Sequence, residues 1–180
     1  MKTLIAAAAA AALLFAAGAA SAAQVSVTVG PELQRLSRAY GDREVEDLRK
    51  DLADSVQRAL DKAGPGAPQK VELVLEAATP NRPTFNELSA FPGLSMTSFG
   101  LGGAAVTGTV TGSDGAQRPI SYRWYETDIH QVLGYGTWTD ADRAFDLLSS
   151  QLAHGKAPSF GPYRPDLARD AAFDSLNRLR

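Results

Sequence analysis

Asp128 and His130 stand two residues apart, the one local pairing of a carboxylate with an imidazole in a 180-residue chain with two histidines and no cysteine. On an extended segment that spacing puts both side chains on the same side. An imidazole held by an acid is the general base of a hydrolase when a hydroxyl nucleophile lies within reach, and Ser95, Thr97 and Ser98 offer hydroxyls. No nucleophile-elbow pattern surrounds these three, and a solvated loop histidine accounts for the same residues. His154 closes a helical pattern, where a partly positive imidazole suits the helix dipole. Neither histidine has another His or a carboxylate at the spacing of a helix-borne metal site, so no metal is expected.

Two other motifs have a plain structural explanation. Asp140 and Asp142 open a helical pattern, where the positive end of the dipole favours acids, and we read them as structural rather than as metal ligands or catalysts. Gly100-Leu101-Gly102-Gly103-Ala104-Ala105 has the glycines of a dinucleotide-binding turn. In that turn the glycines leave a strand and open a helix, whereas these lead from a loop into a strand. No cofactor is expected, and tight turning or a close backbone approach explains them.

The strongest candidate surface is the stretch 79–103. Pro80, Pro83 and Pro92 deny it helix and ladder, and Phe85, Phe91, Leu94, Met96, Phe99 and Leu101 follow neither period. A long irregular connection inside a compact domain is often functional when ordered. Its apolar side chains either fold back over an open sheet edge or face, or form an exposed contact patch. In the second case Asn81, Arg82 and Thr84 are its polar binding residues and Phe85, Phe91 and Phe99 its apolar ones. Arg82, held extended by Pro83, presents a fork of donors to a carboxylate on a partner or on cell-wall peptide. The alternative is an internal acid such as Glu126.

The elements that carry these residues follow from periodicity. Residues 1–22 combine a positive start, an uncharged apolar run and Ala20-Ser21-Ala22, which is the pattern of a cleaved secretory signal peptide. The remainder holds 17 Lys and Arg against 20 Asp and Glu. That charge gives no reason to expect nucleic acid or anionic lipid as a partner. Without cysteine there is no disulfide framework and no lipidated amino-terminal Cys, so no stable membrane insertion is expected after cleavage. Val25, Val27 and Val29 alternate as a strand. Leu33, Leu36 and Tyr40 suggest a short turn of helix that Gly41 interrupts. Val45, Leu48, Leu52, Val56 and Leu60 mark a helix over 42–63, stopped by Gly64-Pro65-Gly66. Lys70 to Ala77 alternates as a second strand, and this strand-helix-strand order favours parallel pairing. Residues 104–111 and 120–126 flank an Asp114-Gly115 turn as a hairpin. Thr139, with Asp142 three positions on, caps a helix over 139–153 that carries Ala141, Phe145, Leu148 and Leu152.

The run "TPNRPTFNELSAFPGLSMTSFGLGGAAVTGTV", followed by "DGAQRPISYRWYE" and "TWTDADRAF", resembles a group of small secreted proteins of unknown function from Gram-negative bacteria. Asn81-Arg82-Pro83-Thr84, Pro92-Gly93-Leu94, Gly102-Gly103-Ala104, Arg123-Trp124-Tyr125-Glu126 and Trp138 with Asp140-Ala141 carry the likeness. It implies compartment and fold only. More distantly, the element order is similar to the small α/β domain of envelope accessory proteins, such as the amino-terminal domain of TolB and the lipoprotein activators of peptidoglycan synthases. That layout implies an interaction module, and this chain departs from the lipidated members in having no cysteine.

We therefore expect an α+β domain over 23–154: a mixed sheet of about four strands in β-α-β-β-β-α order, with helices on one face. A Gly/Pro linker over 155–165 and an amphipathic carboxy-terminal helix over 166–180 are expected to follow. The expected location is periplasmic or secreted. The expected function is a non-enzymatic binding or accessory module of the cell envelope, using the 79–103 loop and the adjoining hairpin to meet an envelope protein or cell-wall component. A small hydrolase around Asp128, His130 and a loop serine is the alternative.

Overall fold

Alternating apolar residues stack across four strands to make one continuous face. The computed structural model describes residues 23–64 and 66–159, so the expected signal peptide and carboxy-terminal helix lie outside the described residues. Strands β1 (Gln24–Val29), β2 (Lys70–Thr79), β3 (Gly103–Thr111) and β4 (Gln117–Tyr125) form a sheet in the order β1-β2-β3-β4. Val27 stands opposite Leu73, Leu73 opposite Gly108, and Gly108 opposite Ile120; the next row runs Val29, Leu75, Val106, Tyr122. β1 pairs with β2 in parallel, as a long helical crossover allows, and the other two pairings are antiparallel.

Helices α1 (Pro31–Tyr40) and α2 (Asp42–Ala63) make the crossover, and α4 (Thr139–Ala153) follows β4. Val45, Leu48, Leu52, Val56 and Leu60 of α2 meet Ala141, Ala144, Phe145, Leu148 and Leu152 of α4 and the apolar sheet face in a single core. The mixed sheet and interspersed helices are the α+β fold that the periodicity predicts. α1 is longer than the predicted turn of helix: Gly41, at φ 106°, is a joint between two helices rather than an interruption. Leu33, Ser37 and Tyr40 are buried on its inner side.

The connection from β2 to β3 is more regular than its sequence suggests, because it contains the short helix α3 (Phe85–Ala90). The Thr84 hydroxyl accepts from the Glu87 N–H at 3.3 Å, and the Glu87 carboxylate accepts from the Thr84 N–H at 2.9 Å. This reciprocal cap satisfies two otherwise orphaned donors and starts a helix where the prolines had argued against one. β2 reaches the connection through a bulge between Leu75 and Ala77, after which Ala78, opposite Ala104, continues the core-facing row.

The outer edge of β4 is also occupied. Ser159 bridges to Ser121 in parallel, and the Ser121 N–H donates to the Pro158 carbonyl at 2.9 Å. Pro119 shares the outward parity of Ser121, so its missing N–H removes nothing from the pairing with β3.

Candidate functional site

The end of the sheet where β2 finishes and β3 begins is built around Asn81. Its backbone N–H donates to the Thr137 carbonyl at 2.7 Å and its carbonyl accepts from the Gly100 N–H at 2.8 Å. Its amide nitrogen donates to the Gly100 carbonyl at 3.1 Å and to Asp140 Oδ2 at 2.5 Å, and its amide oxygen accepts from the Asp140 N–H at 2.8 Å. Gly102 N–H also donates to Asp140 Oδ2, at 3.0 Å. Asn81 and Asp140 are both buried, and Asp140 Oδ1 has no hydrogen-bond partner among the described residues. One amide thus ties the two ends of the 80–102 connection to the start of α4. A Cβ on Gly102 would lie 2.8 Å from Asn81 Oδ1, and one on Gly103 would collide with the Trp124 carbonyl. These are the close approaches that the glycine run predicted.

Asp140 therefore does more than complement a helix dipole in solvent. Thr139 was the predicted cap, yet the N-cap position belongs to Trp138, which has no side-chain capping bond. The Thr139 hydroxyl turns back to accept from the Gly136 N–H at 2.9 Å. The free N–H of Asp140 is satisfied by Asn81, 59 positions away. Trp138 in turn donates to Glu44 of α2 at 2.7 Å and meets Tyr40 edge to face at 5.5 Å.

Arg82 is spent on backbone carbonyls: Nε donates to Tyr135 at 2.5 Å and Nη1 to Met96 at 3.2 Å. The internal partner expected for it, Glu126, instead faces Arg143 at 3.5 Å and accepts from the N–H groups of Thr127 and Asp128. Those N–H groups hold the Glu126 carboxyl below its ordinary range. Thr84 is buried in the α3 cap. Asn81, Arg82 and Thr84 accordingly shape the surface from beneath or across it.

The apolar residues behave differently. Phe85 is 74 % exposed, Met96 65 % and Phe99 46 %, while Phe91 and Leu101 are half-buried. The 3₁₀ turn Ile129–Val132 and the residues after it add exposed Ile129 and Leu133, which sequence periodicity did not single out. Arg82, bonded to both Met96 and Tyr135, holds the two arms side by side.

Asp128 and His130 lie on that 3₁₀ turn rather than on a strand. Asp128 Oδ1 accepts from the His130 N–H and meets its ring Nδ1, both at 2.9 Å, with the two side chains exposed. The N–H, then the ring, hold the Asp128 carboxyl below its ordinary range. Ser95, Thr97 and Ser98 bond to one another, and no hydroxyl hydrogen-bonds His130 among the described residues. The imidazole is thus oriented by an acid, the first half of a general-base arrangement, with no hydroxyl hydrogen-bonded to it among the described residues.

A cleft of about 240 Å³ between α2 and α4 is lined by Asp51, Ser55, Arg58, Asp142, Phe145 and Asp146. Burial, then the charges of Asp51 and Asp146, push the Asp142 carboxyl up to about 6. Among the described residues no three His, Asp or Glu side chains converge so as to hold a metal ion, and no helix is long and apolar enough to cross a membrane. Comparison of the chain with known protein families, with curated proteins and with solved structures finds no match.

Proposed function

We propose that this protein is a non-enzymatic binding or accessory module of the cell envelope, exported to the periplasm, that meets an envelope protein through the apolar end of its sheet. One observation carries this reading: of seven large apolar side chains exposed among the described residues, six come from the two arms 85–99 and 129–133. Single exposed apolar residues are ordinary, whereas their concentration at one end marks a contact surface. The arms are held by buried or backbone-directed polar bonds, which lowers the ordering cost of association. Phe85, Phe99 and Met96 are residue types enriched in the apolar centre of protein interfaces. Asn81, Arg82 and Thr84 serve the surface by fixing its backbone. Export rests on the signal-peptide pattern of residues 1–22. The hydrolase reading has less support, since among the described residues no hydroxyl hydrogen-bonds the His130 ring that Asp128 orients.

The test is site-specific photocrosslinking in the exported protein. A photoreactive residue at Phe99 is expected to give discrete adducts that Phe85→Asp abolishes, while one at Leu147, exposed on α4, gives none. Equal adducts from both positions would reject the surface. His130→Ala is expected to leave the adducts unchanged.

A further inference from the structure

Met96 is the second of two methionines in a chain without cysteine. Met1 falls within the expected signal peptide, so the exported chain carries sulfur at Met96 alone. Methionine belongs to the residue types most often buried, yet this one is 65 % exposed. The backbone holds it there. The Ser98 N–H donates to the Ser95 carbonyl at 2.9 Å, closing a turn with Met96 and Thr97 at its two central positions. The Ser95 hydroxyl meets that of Thr97 at 2.8 Å, and the Met96 carbonyl accepts from Arg82 Nη1 at 3.2 Å. The tip of the turn is thus pinned by polar bonds on both sides, and its neighbours Leu94 and Phe99 are exposed as well. Met96 takes no part in the core, so a change at its sulfur alters the surface and not the packing beneath it.

We propose that Met96 is a reversible oxidation site, its thioether taking one oxygen from a peroxide, and that the sulfoxide so formed lowers the affinity of the apolar end for its partner. The sulfur lone pair attacks one peroxide oxygen, so the S–O bond forms as the O–O bond breaks. Sulfur gives up an electron pair, and the departing hydroxide takes the proton from the transferred oxygen and leaves as water. The chain has no thiol to react first, and export removes it from the thiol-reducing cytosol. A polar, chiral sulfoxide then replaces an apolar side chain, and its oxygen, pressed against an apolar partner without a donor, opposes the contact. The effect on a partner rests on the binding function proposed above, whereas the oxidation site does not.

The probe is hydrogen peroxide, added to the full mature protein and read by peptide mass mapping, by retention on a hydrophobic column and by the adducts from a photoreactive residue at Phe99. One added oxygen is expected on the peptide that carries Met96, together with earlier elution. Adducts are expected to fall about fivefold, the scale of truncating one interface side chain. Methionine sulfoxide reductases of both epimer specificities should restore all three readouts. In Met96→Leu, retention and adducts are expected not to move on adding peroxide, whatever their level before it. A Met96 left unmodified by peroxide that oxidises free methionine would overturn the site. Adducts that survive Met96 oxidation, or that fall equally in Met96→Leu, would overturn the switch and leave the contact surface standing. Adducts missing before any oxidation would sink the binding function and the switch with it, while the mass and retention shifts still decide the modification.

Discussion

Asp140 shows how much one buried side chain decides. A carboxylate taken from water needs hydrogen bonds, and Asp140 receives them from Asn81 and Gly102 on one oxygen while the other has none among the described residues. Asn81→Ala would leave Oδ2 with Gly102 alone and the Asp140 N–H unsatisfied. We expect a loss on the order of 2–4 kcal/mol in urea unfolding, with faster amide exchange across 80–102. Gly102→Ala should weaken the same contacts, since its Cβ meets the Asn81 amide. Asp142 poses the opposite case, with its carboxyl raised from an ordinary 3.8 to about 6. The folded state then binds a proton more readily than the unfolded chain, so this site lowers stability at neutral pH and gives it back as pH falls through about 6 toward 4. Asp142→Asn is expected to raise the thermal midpoint near neutral pH by a few degrees at most, because Asp142 is an exposed residue whose carboxyl is only partly withdrawn into the cleft and stays screened by solvent, and to change little near pH ~4. Glu46 acts the other way: Arg49 holds its carboxyl down to about 2, so its contribution is lost as pH falls from 4.5 toward that value. Thermal midpoints followed across pH should therefore peak in mildly acidic buffer; a maximum at alkaline pH would contradict the Asp142 assignment, and no loss between pH 4.5 and about 2 would contradict that of Glu46.

At the scale of elements, the two caps differ in how far their parts lie apart. The α3 cap is local, Thr84 with Glu87, and its spacing is visible in the sequence. Thr84→Ala is expected to cost about 1 kcal/mol. Faster exchange confined to 85–90 would mark that cost as the loss of α3 alone. The α4 start is non-local, because the donor that needs a partner is met by Asn81 from just beyond the end of β2, 59 positions away in the chain. Thr139 had the residue type and spacing of a cap, but its hydroxyl is engaged by Gly136. A pattern of four residues can name a cap only when the partner lies within those four.

For the molecule as a whole, the core and the apolar end should respond differently to substitution. Leu148 is fully buried between helix and sheet, and Leu148→Ala is expected to cost about 2–5 kcal/mol. Phe85→Asp and Phe99→Asp, at exposed positions, should each change unfolding free energy by less than about 0.5 kcal/mol. A loss like that of Leu148→Ala would make these rings part of the core and remove the contact surface.

The sequence by itself determined the strands, the two long helices, the parallel pairing of β1 with β2, the β3–β4 hairpin and the inner row of apolar residues, whereas the antiparallel pairing of β2 with β3 came from the structure. Each of the former follows from a short-range period that any amphipathic element must obey to bury one face. It also pointed to 79–103 as the unusual stretch, through its prolines and unpatterned aromatics. Only the tertiary structure decided which of those residues turn in and which turn out. Asn81, Thr84 and Glu87 are buried while Phe85 is exposed, an inversion of ordinary hydropathy that no local pattern encodes. Its cause is the demand of buried backbone donors and acceptors for partners, met by Asn81 and Asp140 across 59 positions and by Arg82 reaching to Tyr135.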